Sequence, residues 1–170
     1  TSWTRMTPAT VPPAAKHVQL AFDETRSEMI YCGVDVPNVA PLTTTYRWNG
    51  VTWSNTGVTC PIGAASNGPT PNRMAYDVAE QAIILVESDN DTFKWTGTAW
   101  VTAVSGTITP PQRRFTALAR DSSGLLVLLG GNMIGDFLSP DSYNYGYIMM
   151  RRLLPGGTFI PNGIATSLQQ

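Results

Sequence analysis

Charge is scarce in this chain, and so are the residues that most often do chemistry. Charged side chains make up 14% of the 170 residues, and there is one histidine, His17. An average soluble protein carries about 25% charged residues, so this surface must draw its polarity from Thr, Ser, Asn and Gly. Lys and Arg together number 11 against 12 for Asp and Glu, a net charge of -1. That balance gives no electrostatic ground for nucleic acid or an anionic membrane as partner. Long hydrophobic runs are missing too. Stretches such as residues 125–129 fall far short of the roughly 18 residues that cross a bilayer. No basic-then-apolar leader opens the sequence, so neither membrane insertion nor a secretion signal is expected. Cysteine is limited to Cys32 and Cys60, too few to read as a disulfide framework. Cys32 stands in an apolar strand pattern, where a small buried thiol is the expected state.

The hydrophobic residues, 42% of the chain, suffice for a core at one-domain length, and they are arranged in a repeat. Asp23, Asp77 and Asp121 mark three registers, preceded by Leu20-Ala21, Met74-Ala75 and Leu118-Ala119. Ten residues after each Asp stand Gly33, Glu87 and Gly131, each closing an apolar stretch. Every copy thus reads as a strand, a tight turn at the Asp, and a strand whose near-continuous apolar character predicts burial on both faces. The aspartates are expected to accept hydrogen bonds from turn amides, not to form a carboxylate cluster. Farther on, Trp48-Asn49-Gly50-Val51-Thr52-Trp53 and Trp95-Thr96-Gly97-Thr98-Ala99-Trp100 share one spacing. Their Gly supplies the positive φ of a tight hairpin turn. In the third copy Leu154-Pro155-Gly156-Gly157-Thr158-Phe159 stands in for this pattern. Four strands per copy follow, with copies over 7–56, 57–103 and 104–160 and a tail over 161–170. Residues 1–6, with Trp3, read as a lone fourth strand of a preceding copy, and Trp53 and Trp100 as core positions on the fourth strands.

The fullest copy lies over residues 107–131, where Pro110, Pro111, Arg113, Ala119, Asp121, Gly130 and Gly131 follow one another at set intervals. Ala21-Phe22-Asp23 and Ala75-Tyr76-Asp77 repeat its middle element. This pattern resembles the kelch-like repeats of the galactose-oxidase-type β-propeller. The resemblance implies an all-β chain of propeller blades, each of four antiparallel strands. Cys32-Gly33 and Val86-Glu87 depart from its di-Gly, and residues 67–73 depart from its Pro-Pro-x-Arg. Propellers carry four to eight blades, so three leave the ring incomplete within one chain. Protein partners are therefore expected, in a homo-oligomer or a larger assembly that covers exposed strand edges. A β-sandwich with coincidental periodicity is the alternative architecture.

A copper oxidase of the galactose-oxidase kind needs several imidazole ligands, which one histidine cannot supply. His17 reads as a surface or edge residue, because a metal site needs convergent ligands. Asp89-Asn90-Asp91 opens like a calcium loop but lacks the later Gly and Glu, so it reads as a solvated turn. No nucleophile elbow, Cys-His pair or phosphate-cradling loop occurs. No catalytic residue, metal or cofactor is expected. Arg113, Arg114, Arg120, Arg151 and Arg152 form the only basic concentration. The variable element is the connection from the second to the third strand, longest over residues 132–147. There Asn132, Asp136, Phe137, Asp141, Tyr143, Tyr145 and Tyr147 offer the mix of apolar area and hydrogen bonding that suits a protein or glycan contact. The alternative is a loop folded over its own blade. The expected function is a non-catalytic structural or binding module, a virion component of a phage tail or capsid surface, placed on a virion or extracellular surface. The alternatives are a carbohydrate-binding propeller lectin or a fragment of a larger kelch-type protein.

Overall fold

The computed structural model describes residues 2–34, 44–62, 73–87, 91–103, 113–133, 151–154 and 158–161. Their regular structure is all β: three antiparallel sheets of four strands each. The first holds β1 (Lys16–Asp23), β2 (Glu28–Val34), β3 (Thr44–Trp48) and β4 (Trp53–Thr59). The second holds β5 (Met74–Asp77), β6 (Ala82–Val86), β7 (Thr92–Trp95) and β8 (Trp100–Thr102). The third holds β9 (Arg113–Arg120), β10 (Leu126–Met133), β11 (Arg151–Leu154) and β12 (Thr158–Pro161). Strands lie in chain order within each sheet, as consecutive antiparallel hairpins require. The three sheets do not close a ring. Among the described residues no helix is long and apolar enough to cross a membrane. The strand expected over residues 1–6 is not formed: residues 2–15 carry no strand, and Trp3 is fully exposed.

Turn chemistry sets the hairpins. Asp23 Oδ1 accepts from the Arg26 amide at 3.1 Å, Asp77 Oδ1 from the Glu80 amide at 2.9 Å, and Asp121 Oδ1 from the Ser123 and Leu125 amides at 2.8 and 3.0 Å. All three aspartates thus do the same local work. The first two turns pair Asp23 with Glu28 and Asp77 with Ala82. Each closes on a non-glycine residue of positive φ, Ser27 (53°) and Gln81 (49°). The third turn is one residue tighter and uses Gly124 (φ 88°). Gly130, paired with Thr116, therefore occupies the place of Gly33 and Glu87, not Gly131 as the ten-residue spacing predicts. Likewise Trp48 pairs with Trp53 and Trp95 with Trp100, each pair enclosing four residues, but in the last hairpin Leu154 pairs with Thr158 across three, so Phe159 pairs with Leu153.

Each sheet has two distinct faces, because side chains alternate along a strand. One, here the Ala face, carries the residue two before the register Asp: Ala21, Ala75 or Ala119. The other, the leading face, carries the residue three before it: Leu20, Met74 or Leu118. Ile30 and Cys32, which pair with Ala21 and Gln19, pack from the first sheet against Met74, Ile83, Leu85 and Trp95 of the second. Ala75, Ile84 and Val86 of the second sheet pack in turn against Leu118, Leu126 and Leu128 of the third. The same contact, an Ala face on the next leading face, is thus made twice. β6 lies between the two cores and is buried along its whole length, as its apolar run predicts. β1 lies beside β5, and β5 beside β9.

Polar ties reinforce the first of these contacts. The Arg73 amide donates to Gln19 Oε1, and the Trp100 indole N–H donates to Thr45 Oγ1 at 2.9 Å. The Arg26 guanidinium binds Asp23 at 2.8 Å and reaches the Thr96 carbonyl in the β7–β8 turn at 2.5 Å. Cys32 and Cys60 are not free thiols: they form a disulfide with their Cα atoms 5.8 Å apart. The chain leaving β4 returns Cys60 to the core beside β2, where both sulfurs are buried. A sequence separation of 28 gives no local sign of that return.

Candidate interaction surface

The leading face of the first sheet has no sheet against it among the described residues. Two cross-strand rows make up this face. Phe22, Met29, Trp48 and Trp53 form one, and Leu20, Tyr31, Tyr46 and Asn55 the other. In the second sheet the corresponding positions hold Tyr76, Ile83, Trp95 and Trp100, and Met74, Leu85, Phe93 and Thr102. There the first sheet covers Met74, Ile83, Leu85 and Trp95, with Trp95 0% exposed and Met74 2%, and leaves Tyr76, Phe93 and Trp100 half-buried. Leu20, in the register of Met74, is 37% exposed, and Phe22 is 49% exposed. Trp53 and Trp100 are half-buried, so the fully buried tryptophan of the repeat is Trp95 on the third strand. Trp48, its counterpart, lacks the covering sheet and stays half-buried.

The aromatic rings on this face brace one another. Tyr31 meets Tyr46 and Trp53 edge-on with centroids 6.1 and 5.8 Å apart, and Trp48 and Trp53 are 5.4 Å apart. Such pairs add about 0.5–1.5 kcal/mol beyond area burial and hold the surface rigid, which lowers the entropic cost of any contact it makes. Burial, and secondarily the neighbouring Tyr46, raise the Tyr31 phenol above its ordinary 10.0. It therefore stays neutral and donates to the Pro13 carbonyl at 3.5 Å. Gly33 is needed beside it, because a Cβ there would stand 2.6 Å from the Tyr31 hydroxyl.

At the turn end, side chains of all three sheets meet. Arg120 of β9 pairs with Glu24 of the first turn at 2.6 Å and lies 6.0 Å from the ring centroid of Tyr76 on β5. The hydroxyls of Thr25 and Tyr76 are 2.7 Å apart. Of the five arginines that form the basic concentration, Arg120 is thus engaged in holding sheets together. Arg113 and Arg114 lie on β9, and Arg151 and Arg152 on β11. Buried charge serves packing as well: Arg73 and Glu87 form an ion pair at 3.5 Å between the entry to β5 and the exit from β6.

His17 lies on β1, and Asn132 lies on β10 opposite Arg114. Asp136, Phe137, Asp141, Tyr143, Tyr145 and Tyr147 lie outside the described residues, as do Asp89 and Asn90. Among the described residues no three His, Cys, Asp or Glu side chains converge as a metal ion requires. Leu20 and Phe22 are exposed and Tyr31 half-buried on this face, Tyr46 beside them is buried, and the repeat pattern marks none of the four as a site residue. The signal for them was present in β1, where bulky Val18, Leu20 and Phe22 alternate with Gln19, Ala21 and Asp23. No protein-family model matches the sequence, and no curated protein matches it.

Proposed function

We propose that the chain is a non-catalytic structural module of kelch-like propeller blades, and that it serves as a virion component of a phage tail or capsid surface in assembly or attachment. The observation that carries this reading is the uncovered aromatic leading face of the first sheet. Apolar surface left in water forgoes about 25 cal/mol per Å², and this face occupies positions that a neighbouring sheet buries elsewhere in the same chain. The adjoining first strands of the three sheets support a radial arrangement of blades. The disulfide supports an oxidising location, such as a particle or cell surface. Mass spectrometry of purified particles is the test. The expected result is the chain in a fixed ratio to the major structural proteins; its absence from every particle counts against the reading.

A second reading, carbohydrate binding, is favoured by one feature of the same face. Half-exposed rings of Phe22, Trp48 and Trp53 share this face with exposed Asn55, whose amide accepts from the Gly57 N–H and donates to the Tyr46 hydroxyl and keeps a second N–H and lone pair for a sugar stacked on the rings. A glycan array separates the two. Selective binding that Trp53→Ala abolishes supports the lectin; a blank array leaves the face to a protein.

A further inference from the structure

We infer that the partner on the leading face of the first sheet is a second copy of this chain, which lays the Ala face of its third sheet there. Two chains then close one ring of six sheets. This rests on the assembly reading above and names the partner within it.

The chain itself makes the required contact twice. The Ala face of the first sheet covers the leading face of the second, and the Ala face of the second covers the leading face of the third. The two halves left over are the leading face at one end of the stack and the Ala face at the other. Equivalent residues report this directly. Met74 and Leu118 are 2% and 5% exposed, whereas Leu20 is exposed. Ala21 and Ala75 pack against the next sheet, whereas Ala117 and Ala119 are exposed and Val127, paired with Ala119, is half-buried. The shapes are complementary, since small Ala117 and Ala119 leave room for bulky Leu20 and Phe22 to approach. A head-to-tail contact of this kind either propagates as a filament or closes. Two copies give six sheets, within the four to eight that rings of such sheets accommodate, and three give nine, outside it.

Light scattering on the purified chain tests this. The expected mass is about twice the 18.4 kDa of one copy, with no filament. Leu20→Glu and Ala119→Lys each damage both contacts of the ring, so each variant alone should run as a monomer. Both positions are exposed in the single chain, so circular dichroism and a cooperative melt should survive. Leu20→Gln and Ala119→Gln, milder changes at the same places, should weaken the dimer in the same direction. Mixing the Glu and Lys variants is the decisive arm. Both lesions then fall in one contact, where opposite charges meet, and the other contact is wild type on both sides, so the doubled mass should return. A wild-type monomer at every concentration, a dimer indifferent to both substitutions, or a mixture that stays monomeric would overturn the inference. A monomer still found in purified particles overturns self-closure and leaves the assembly reading intact; a dimer absent from all particles does the reverse.

Discussion

Glu28 shows how a single carboxylate tunes this fold. Burial lifts its carboxyl above the ordinary 4.5; Arg47 lowers it, Asp23 raises it and Arg26 lowers it in smaller measure. A raised folded value favours the protonated form, so this contribution to stability is fully present below about 4.5 and is lost as pH rises through the folded value. Melting temperatures of wild type and Glu28→Gln should therefore diverge between pH 4 and 7, with wild type falling behind. A constant difference would refute the assignment. Glu87 acts oppositely, as a partner the fold needs. It stands where the first sheet has Gly33, and its pairing with Arg73 across 3.5 Å accounts for that departure from the repeat. Removing one member of a buried ion pair costs about 3–5 kcal/mol, so Glu87→Ala should lower the free energy of unfolding by that much in urea titration. A loss below about 1 kcal/mol would mean that the pair is incidental.

Hairpins are the elements most open to single-residue tests. Gly50 and Gly97 share φ 96°, but a Cβ at Gly50 meets nothing within 4 Å, whereas one at Gly97 would collide with the Arg26 guanidinium. Gly50→Ala should cost about 1–2 kcal/mol from the left-handed backbone alone. Gly97→Ala should cost more, because it also dislodges Arg26 from the Thr96 carbonyl, and the excess should vanish in an Arg26→Ala background. Trp95→Ala, in the core between sheets, should cost about 3–5 kcal/mol, and Trp48→Ala, at the equivalent uncovered place, distinctly less. Equal losses in thermal unfolding would contradict the register. The hairpins were legible in the sequence because their causes are local: alternation along β1, an Asp that caps each turn, a Gly that takes positive φ. What stayed hidden is set from outside the element. Phe22 and Tyr76 look alike in sequence, and only the presence of a neighbouring sheet makes one exposed and the other half-buried. The one-residue shift at Gly130 likewise depends on Gly124 shortening a turn. The Tyr-rich stretch over residues 134–147, expected to form a contact surface, lies outside the described residues.

At the scale of the molecule, two cores and one covalent tie hold the stack among the described residues. The disulfide spans 28 residues, and closing such a loop in the unfolded chain accounts for about 3–4 kcal/mol of stability. Reduction, or the double change Cys32→Ser and Cys60→Ser, should lower the melting temperature while leaving the β-rich circular dichroism intact. No change on reduction would show that the bond contributes nothing in solution. The middle strand raises a different matter. β6 is Ala-Ile-Ile-Leu-Val and is buried on both sides, but its two neighbours are made at different times. The first sheet precedes it on the ribosome, while the third is complete only at Pro161. At roughly 5–20 residues per second, one side of an apolar, strand-forming run is bare for roughly 4–15 s in every nascent chain. Glu80 and Glu87, just outside this run, then act as gatekeepers against pairing with another unfinished copy, before either has found its place in the finished packing.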